Sequence, residues 1–430
     1  MTDDRHLNPN RLAVGGFKGG ASKTYSRTIR ETLDDAKECS GSSSVEPKPA
    51  DDTDPKLSAM KTSSDTTAKD LLAELYASPA AIGEQRSVAI DGQCHWYLKV
   101  FEPHEAIRVY TDRNGEPPQP PSMIIFGAEH GGDNLLRAMA HDPMRGWRLM
   151  PVGSEAKLAA LVSLAGEMPN FAEVTSAVEL ACRASLVTGL PWRLPVIVLD
   201  GPPGAGKTRW SKRIARILGS SIWEIAVPQM TGASPLTGSD QSWKHPRAGK
   251  IAHALIRDHM ASPCFLLDEI DKANSYAGDA PLDVLHGLWE PENARSFIDE
   301  CLGCHFAAHH VIWIATANET HRLRETLLDR AQVYAIETPD QKQMEAVIRA
   351  IYLDLSRDWY GWFTAEIDPE VIRCASTNSP RQIKAALHDA MIRAAAEGRT
   401  ALEPDDMTLA NSKRQARENF GFIASRVGFV

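Results

Sequence analysis

Residues 201–208 have the types and the spacing that bind a chain of phosphates. They read Gly-Pro-Pro-Gly-Ala-Gly-Lys-Thr, directly after the apolar run 196–199, and fit the pattern G-x-x-x-x-G-K-[ST]. In such a loop the backbone N–H groups surround an anion, and the helix that follows adds the positive end of its dipole. Lys207 would reach the β- and γ-phosphates, and the Thr208 hydroxyl would bind Mg²⁺. The predicted nucleotide contacts are Gly201, Pro202, Pro203, Gly204, Ala205, Gly206, Lys207 and Thr208.

Two acidic residues end a second apolar run. Asp268 and Glu269 follow Cys264–Leu267, whose apolar residues predict a buried parallel strand. Ligands of open α/β sheets bind at the carboxyl ends of the strands, so both acids would face the phosphate loop. We predict that Asp268 holds Mg²⁺ and that Glu269 orients and polarises the attacking water. The alternative is a solvated acidic turn after the strand.

Polar residues also mark a third strand and the segment beyond it. Val311–Ala317 predicts a strand, and Asn318 at its end would hydrogen-bond the γ-phosphate or the attacking water. A helix cap or a turn is the alternative for this asparagine. Arg330, after Leu327-Leu328-Asp329, would complete the site of a neighbouring subunit as an arginine finger. A lone arginine is more often a solvated surface charge, and the position of Arg330 in this series favours the catalytic role.

These elements, in this order, resemble those of AAA+ ATPases and most closely the ATPase module of Lon-type proteases. The resemblance covers roughly residues 165–405 and implies an α/β fold, with a P-loop NTPase core built on a parallel sheet and a C-terminal helical lid. It implies ATP and Mg²⁺ as cofactors and a homo-hexameric ring in which Arg330 acts in trans. The catalytic residues that it implies are Lys207, Glu269, Asn318 and Arg330.

Two further residues gain a role from this resemblance. Arg381, which follows Ser379-Pro380 at the start of a lid helix, resembles the second sensor that reports γ-phosphate loss to the lid. A surface arginine in the first turn is the alternative. Trp243 and Lys244 lie where such ATPases carry the loop that lines the central pore, and an aromatic there would grip an extended polypeptide through its large contact area. The alternative is a tryptophan packed on its own domain, and Trp-Lys-His departs from the family's aromatic–apolar–Gly pattern.

Composition and motifs divide the chain into five predicted segments. They are a tail (1–70), a small N-terminal α/β module of unknown role (71–160), the nucleotide-binding core (161–338), the helical lid (339–410) and a C-terminal tail (411–430).

Three of these segments carry further predictions. The N-terminal tail is rich in Ser, Thr, Asp, Lys and Gly, which predicts disorder, and its run 18–24 resembles a variant phosphate loop that we interpret as fortuitous. In the N-terminal module we predict strands at His95–Phe101 and Ile107–Tyr110. The C-terminal tail is too short for the peptidase domain of Lon proteases, so we expect an ATPase without one.

Composition also narrows the function classes. Of the 430 residues 43% are apolar, and no apolar run approaches the ~20 residues that span a bilayer. Met1–Arg11 is polar, so a secretory signal is not expected and the cytoplasm is the expected location. A net charge of −9 argues against a general nucleic-acid binder. Cys301-Leu302-Gly303-Cys304-His305 fits a haem-attachment pattern and, with His309 and His310 nearby, resembles a metal cluster, but it lies inside the predicted core without an export signal, and we reject both readings.

The sequence therefore predicts a Mg²⁺-dependent ATPase that remodels or unfolds proteins. Three alternatives stay open. A nucleic-acid motor would use the basic residues Lys244, Arg247 and Lys250 in its pore. A nucleotide-switched scaffold would bind ATP tightly and hydrolyse it slowly. A small-molecule P-loop kinase is disfavoured by the adjacent Asp268 and Glu269 and by the expected helical lid.

Overall fold

The computed structural model describes residues 73–90, 93–120, 131–273, 281–376 and 379–407. The predicted disordered tail 1–70, with its loop-like run 18–24, and the predicted tail 411–430 lie outside the described residues. All of the described residues belong to one compact unit. The boundaries that composition suggests at 160 and 338 stay predictions.

Ten strands and thirteen α-helices lie within the described ranges. The strands are β1 Gln85–Ile90, β2 Gln93–Lys99, β3 Trp147–Leu149, β4 Val196–Asp200, β5 Ile222–Ala226, β6 Cys264–Asp268, β7 Phe297–Asp299, β8 Cys304–Phe306, β9 Ile312–Ala317 and β10 Ala331–Ala335. The helices are α1 Pro103–Asn114, α2 Gly131–Ala140, α3 Glu155–Glu167, α4 Ala172–Thr188, α5 Lys207–Leu218, α6 Ser234–Thr237, α7 Lys250–Arg257, α8 Asp283–Leu288, α9 Pro291–Ala294, α10 Glu325–Leu328, α11 Gln341–Asp358, α12 Pro369–Ala375 and α13 Pro380–Ala396.

A five-stranded parallel sheet forms the centre of the segment predicted to be the nucleotide-binding core. Its strand order is β10-β4-β9-β6-β5, and every neighbouring pair is parallel. Strands β4 and β6 are buried over four residues and end in a half-buried aspartate, Asp200 and Asp268 respectively. Continuous apolar runs of this kind suit strands that are covered on both faces. The predicted α/β core with a parallel sheet is confirmed, and the strand ends bring the polar residues to one edge.

The N-terminal part of the structure is an antiparallel sheet, ordered β1-β2-β3, with helices α1 and α2. The prediction of a strand at Ile107–Tyr110 is wrong, because these residues lie inside α1. Pro103 occupies the first turn, Gly115 ends the helix with φ 75°, and Ala106 and Tyr110 are buried on one face. A run of four apolar residues fits a strand and a helix equally well, and here the capping residues decide.

This N-terminal part shares a hydrophobic core with the central sheet. Phe101 and Leu136 are fully buried and belong to the same cluster as Phe265 of β6 and Trp313 of β9. The Phe101 ring also meets Phe306 of β8 edge-on, with ring centroids 6.1 Å apart. Residues before 160 therefore help to bury one face of the sheet that carries the predicted site.

The C-terminal part is helical, as predicted for the lid. Helices α11, α12 and α13 bury their own apolar cluster, with Ile348, Val371 and Leu387 fully buried at its centre. Capping boxes start α11 at Asp340 and α13 at Ser379, which satisfy backbone N–H groups that would otherwise lack partners. Within the described ranges, no helix combines the length and the apolar character that crossing a membrane requires.

Candidate nucleotide site

The predicted phosphate loop joins β4 to α5 at the carboxyl edge of the sheet. Gly204 and Gly206 have φ values of 87° and 102°, which side chains rarely adopt. At Gly201 a Cβ atom would lie 2.0 Å from the Ile336 carbonyl oxygen, so only glycine fits beside the backbone segment that follows β10. Helix α5 begins at Lys207 and no described side chain caps it. Its first backbone N–H groups are therefore suited to an anion.

Lys207 and Asn318 meet in this loop. Lys207 Nζ donates to the carbonyl oxygens of Gly201 at 2.5 Å and Pro202 at 3.1 Å, and to Asn318 Oδ1 at 3.0 Å. Burial lowers the pKa of Lys207, and the nearby charge of Asp200 opposes that shift. The ammonium group is thus held at the mouth of the loop by neutral oxygens that a phosphate could replace.

A second set of bonds joins α5, β6 and β9. Asp268 Oδ1 accepts from Thr208 Oγ1 at 3.2 Å and from Thr316 Oγ1 at 2.6 Å. The Thr316 oxygen in turn accepts the backbone N–H of Glu269 at 3.0 Å. Hydroxyl and carboxylate oxygens are the ligands that Mg²⁺ prefers, so Thr208 and Asp268 fit that ion. Thr316 was missed at the sequence level, where its only signal is a hydroxyl in an otherwise apolar strand.

Glu269 has an unusual backbone and a side chain directed to Lys272. Its φ is 55°, one of three positive values among the described non-glycine residues. Such a conformation costs on the order of 1 kcal/mol and is more common at functional sites. Glu269 Oε1 accepts from Lys272 Nζ at 2.5 Å, and this bond raises the pKa of Lys272. In the structure Glu269 is therefore held by a neighbouring ammonium group.

These residues line one cavity of about 520 Å³ between the core and the lid. The lid contributes Arg381 and Lys384, and the core contributes Lys207, Asp268 and Asn318. The Cβ of Arg381 lies 3.7 Å from the position that a Cβ on Gly204 would take. A volume of this size is typical of small-molecule sites. The structure thus brings together the loop, both strand-end acids, Asn318 and Arg381.

The chain around this cavity matches one family model, that of the ATPase family associated with various cellular activities (AAA), over residues 197–340. Residues 197–340 are an AAA domain. Lon protease of Porphyromonas gingivalis is 37% identical over 140 residues, which are 32% of this chain and 16% of that protein. Peroxisomal Lon protease homolog 2 of Danio rerio is 35% identical over 153 residues, 36% of this chain and 18% of that protein. The chain thus matches less than a fifth of the length of these curated relatives.

Among solved structures, the chain is similar to the Thermotoga maritima RuvB Holliday junction branch migration motor. The two are 17% identical, with a TM-score of 0.38, and the match covers 55% of this chain and 67% of that chain. The predicted resemblance to AAA+ ATPases, with Lon-type relatives over the ATPase region, is confirmed by the family model and the curated relatives.

The AAA domain is linked to the helical lid by an ion network that sequence reasoning missed. Arg209 Nη2 of α5 lies 2.7 Å from Asp354 Oδ2 of the lid helix α11. Arg213 lies 3.3 Å from the same aspartate and 2.7 Å from Glu167 of α3. The available signal is the basic face of α5, where Arg209 and Arg213 are spaced four residues apart. The network ties three helices together beside the cavity.

Arg330 lies outside this cavity. It precedes β10 at the opposite, amino-terminal edge of the sheet, where Arg330 Nε lies 3.5 Å from Glu290 Oε2 and Nη1 donates to the Thr326 carbonyl at 2.6 Å. Arg330 lines a different cavity, together with Glu290 and Asp329. The structure therefore does not bring Arg330 to the phosphate loop of its own AAA domain.

Trp243 and Lys244 lie in the exposed segment between α6 and α7. The Trp243 side chain is 64% exposed, and the segment is closed at its base by the Ser239 N–H, which donates to the Arg247 carbonyl at 2.9 Å. Buried Asp299 anchors that base, because its carboxylate accepts the Gly249 N–H at 2.7 Å. Burial raises the pKa of Asp299 to about 6. The AAA domain thus presents an aromatic residue on a loop with a fixed base.

Proposed function

We propose that this protein binds ATP with Mg²⁺ in the cavity between the AAA domain and the helical lid and hydrolyses it there. One observation carries the proposal: Lys207 and Thr208 of α5, Asp268 at the end of β6 and Asn318 after β9 line a single cavity behind a glycine loop. The AAA family match over residues 197–340 supports the same reading. Bound phosphates would replace the Gly201 and Pro202 carbonyl oxygens as partners of Lys207, which neutralises charge that develops on the γ-phosphate.

The remaining site residues have separate tasks in this proposal. Thr208 and Asp268 would hold Mg²⁺, which supplies positive charge beside the phosphate oxygens. Thr316 fixes Asp268 and the Glu269 backbone through one hydroxyl. Glu269 acts on the attacking water once its carboxylate leaves Lys272, and Asn318 orients either that water or the γ-phosphate. Arg381 brings a positive charge from the lid to the nucleotide.

We propose that Arg330 acts on the nucleotide of a neighbouring copy in a ring, with a homo-hexamer as the expected assembly. Its position at the far edge of the sheet, outside the cavity of its own chain, supports action in trans. Two inactive variants test this point. Lys207→Met and Arg330→Ala would each abolish turnover, and mixing them would restore part of it, because some sites then combine an intact Lys207 with an intact neighbouring Arg330. Action within one chain predicts no recovery.

The output that we propose is the remodelling of a polypeptide gripped by Trp243. Its exposure, on a loop whose base Asp299 holds, supports that role. A nucleic-acid motor is the second candidate, because Lys244 and Arg247 are exposed on the same loop. Lys250 is the first residue of α7, and its Nζ donates to the Glu224 carbonyl at 3.1 Å.

ATP turnover of the wild type and of Glu269→Gln, each with and without an unfolded protein or duplex DNA, tests these assignments. We expect the unfolded protein to stimulate the wild type and the variant to lose at least about 100-fold in turnover while it still binds ATP. Glu366→Gln, a matched change at an exposed lid position, serves as the control. Stimulation by DNA alone would favour the nucleic-acid motor. ATP binding by the wild type without turnover under any condition would contradict the role of Glu269 and favour a nucleotide-switched scaffold.

A further inference from the structure

The turn between β7 and β8, residues 300–303, lies between helix α1 and the loop that carries Trp243, residues 239–249. Arg113 of α1 donates to the backbone of the turn, and Gln241 of the Trp243 loop does so as well. The turn belongs to the AAA domain, whereas α1 belongs to the N-terminal part of the structure. These contacts therefore connect the N-terminal part to the loop on which Trp243 is exposed.

Helix α1 holds the β7–β8 hairpin through two charged side chains. Arg113 Nη2, in the last turn of the helix, donates to the carbonyl oxygens of Cys301 at 2.6 Å and Leu302 at 3.1 Å. Glu105, in the first turn, accepts the His305 N–H at 3.0 Å, and its other oxygen lies 2.7 Å from His305 Nδ1. Hydrogen bonds that involve charged groups are stronger than neutral ones, so both ends of α1 fix the hairpin.

Asp299 joins the same turn to the base of the Trp243 loop. Its carboxylate accepts the Leu302 N–H at 2.8 Å with one oxygen and the Gly249 N–H at 2.7 Å with the other. The side chain is fully buried, and a Cβ atom at Gly238 would lie only 2.8 Å from Asp299 Oδ1. A carboxylate enclosed in this way has little room to move, so a shift of the turn would also move the base of the loop.

Two further hydrogen bonds link the turn to the Trp243 loop directly. The Glu300 N–H donates to the carbonyl of Thr237, the last residue of α6, at 2.9 Å, and Gln241 Nε2 donates to the Glu300 carbonyl at 3.5 Å. The Trp243 side chain is 64% exposed, so its own packing does little to fix it. The orientation of Trp243 therefore depends on the base of the loop and on the turn beside it.

The contacts from α1 serve neither the nucleotide cavity nor general attachment of the N-terminal part. Glu105, Arg113 and the turn do not line that cavity. The fully buried Phe101 and Leu136 already join the N-terminal part to the central sheet. Two long charged side chains lose conformational freedom when they are held in one geometry. Their convergence on one hairpin therefore indicates that the position of the hairpin itself matters.

We propose that Glu105 and Arg113 position the Trp243 loop through the β7–β8 turn, so that Trp243 meets a polypeptide in a fixed orientation. The proposal rests on the proposed grip of Trp243 and assigns the N-terminal part a role in that step. Both residues act through the turn and Asp299, without touching the polypeptide or the nucleotide. Preorganised groups bind more tightly because less conformational freedom is lost on binding. The N-terminal part thus affects how tightly the polypeptide is held.

Hydrogen exchange of the backbone amides in the full chain tests the positioning without any substrate. In Arg113→Met we expect the Leu302 amide to exchange at least about tenfold faster than in the wild type and the Gly249 amide at least about threefold faster, because the turn loses charge-assisted hydrogen bonds. The Trp210 amide of α5 should exchange at the wild-type rate, which separates a local change from a general loss of stability. Arg108→Met, on the same helix with its side chain 70% exposed, is the matched control.

Stimulation of ATP turnover by reduced and carboxymethylated α-lactalbumin, an unfolded protein, tests the consequence. In Arg113→Met we expect the lactalbumin concentration for half-maximal stimulation to rise at least about threefold, while turnover without lactalbumin stays within about twofold of the wild type. Trp243→Ala should raise that concentration at least as far. Glu105→Gln keeps the shape of its side chain and should shift both measurements in the same direction, which keeps the test valid if Arg113→Met does not fold.

The two measurements separate this proposal from the proposed function. Wild-type exchange rates at Leu302 and Gly249 in Arg113→Met would overturn the positioning by α1. Faster exchange with an unchanged half-maximal lactalbumin concentration would overturn its consequence for the polypeptide. A wild type that lactalbumin does not stimulate would count against the grip of Trp243, and the exchange rates would still decide whether α1 positions the loop.

Discussion

The two edges of the central sheet carry two cavities that differ in how their polar groups are satisfied. At the carboxyl edge Lys207, Asp268, Thr316 and Asn318 hydrogen-bond one another or nearby carbonyl oxygens. At the amino-terminal edge Trp192, Ser262, Trp289 and His309 are all buried, yet their side-chain polar atoms have no partner among the described residues.

This difference gives the two groups of polar atoms different consequences. A ligand at the carboxyl edge exchanges one set of hydrogen bonds for another, because Lys207 must leave the Gly201 and Pro202 carbonyl oxygens. Exchange of this kind favours a site that discriminates between the states of its ligand, as a hydrolytic cycle requires. The unpartnered atoms at the amino-terminal edge instead lower the stability of the folded chain, since a buried polar group without a partner costs about 1–3 kcal/mol.

Removal of the Lys207 ammonium group should have the largest effect and act at the carboxyl edge alone. In Lys207→Met we expect ATP turnover to fall at least about 100-fold, because a charge that stabilises the transition state is lost. The free energy of unfolding should not fall, since a buried charge is replaced by an apolar chain. A steady-state assay measures the ATP turnover and urea unfolding measures the free energy of unfolding. Lys342→Met, at an exposed position, is the control. Unchanged turnover would refute the role of Lys207.

Removal of the Thr316 hydroxyl should have the next largest effect. Thr316→Val keeps the shape but leaves the Glu269 N–H and the Asp268 carboxylate without this partner. We expect turnover to fall by about 10–100-fold and the free energy of unfolding by about 1–3 kcal/mol. Thr175→Val removes a buried hydroxyl that bonds Trp210 elsewhere, and it should lower stability alone. Equal turnover in the two variants would contradict the role of Thr316 in holding Asp268 and the Glu269 backbone for catalysis.

At the amino-terminal edge, the contribution of His309 to the free energy of unfolding should depend on pH. The folded-state pKa of His309 is about 4, below its ordinary value of 6.5, so the unfolded chain binds more protons between these values. Its contribution to stability is therefore present above pH 6.5 and is lost as the pH falls towards 4, by about 3 kcal/mol. Urea unfolding across this range should show a flatter pH dependence in His309→Gln than in the wild type, while exposed His104→Gln should follow the wild type. Parallel curves for wild type and His309→Gln would contradict this account.

The smallest effect is expected at the link between core and lid. Arg209 and Asp354 are partly exposed, and pairs of this kind contribute about 0–1 kcal/mol. We expect Arg209→Gln to lower the free energy of unfolding, measured by urea unfolding, by less than about 1 kcal/mol. Arg349→Gln breaks an exposed pair within the same lid helix and is the matched control. A loss well above ~1 kcal/mol in Arg209→Gln alone would show that this network contributes more than an exposed ion pair does.

The carboxyl edge could be predicted from the sequence because its signals are local. The glycine loop is contiguous, and Asp268 and Asn318 each follow an apolar run that ends at the same edge of a parallel sheet. Thr316 could not be singled out, because a threonine in a buried strand is also an ordinary β-branched residue. Its role depends on the register that sets it beside Asp268, which only the folded sheet provides.

The amino-terminal edge could not be predicted for a related reason. Trp192, Ser262, Trp289 and His309 come from four separate segments, and only His309 stands near a pattern that suggests chemistry, the rejected cysteine–histidine cluster. Tryptophan and histidine at such positions read as ordinary core residues. Only the absence of partners around one cavity distinguishes them, and that is a property of the packed structure.

The hydrophobic core that the N-terminal strands share with the AAA domain has a consequence for the evolution and handling of this chain. Phe101, Leu136 and Met139 are fully buried against the sheet, so a fragment that begins at residue 161 would expose the surface that they cover. Exposed apolar patches of that kind promote aggregation. The AAA domain should therefore not fold well when it is expressed alone. Replacement of a relative's AAA domain by this one would have to include residues 85–150.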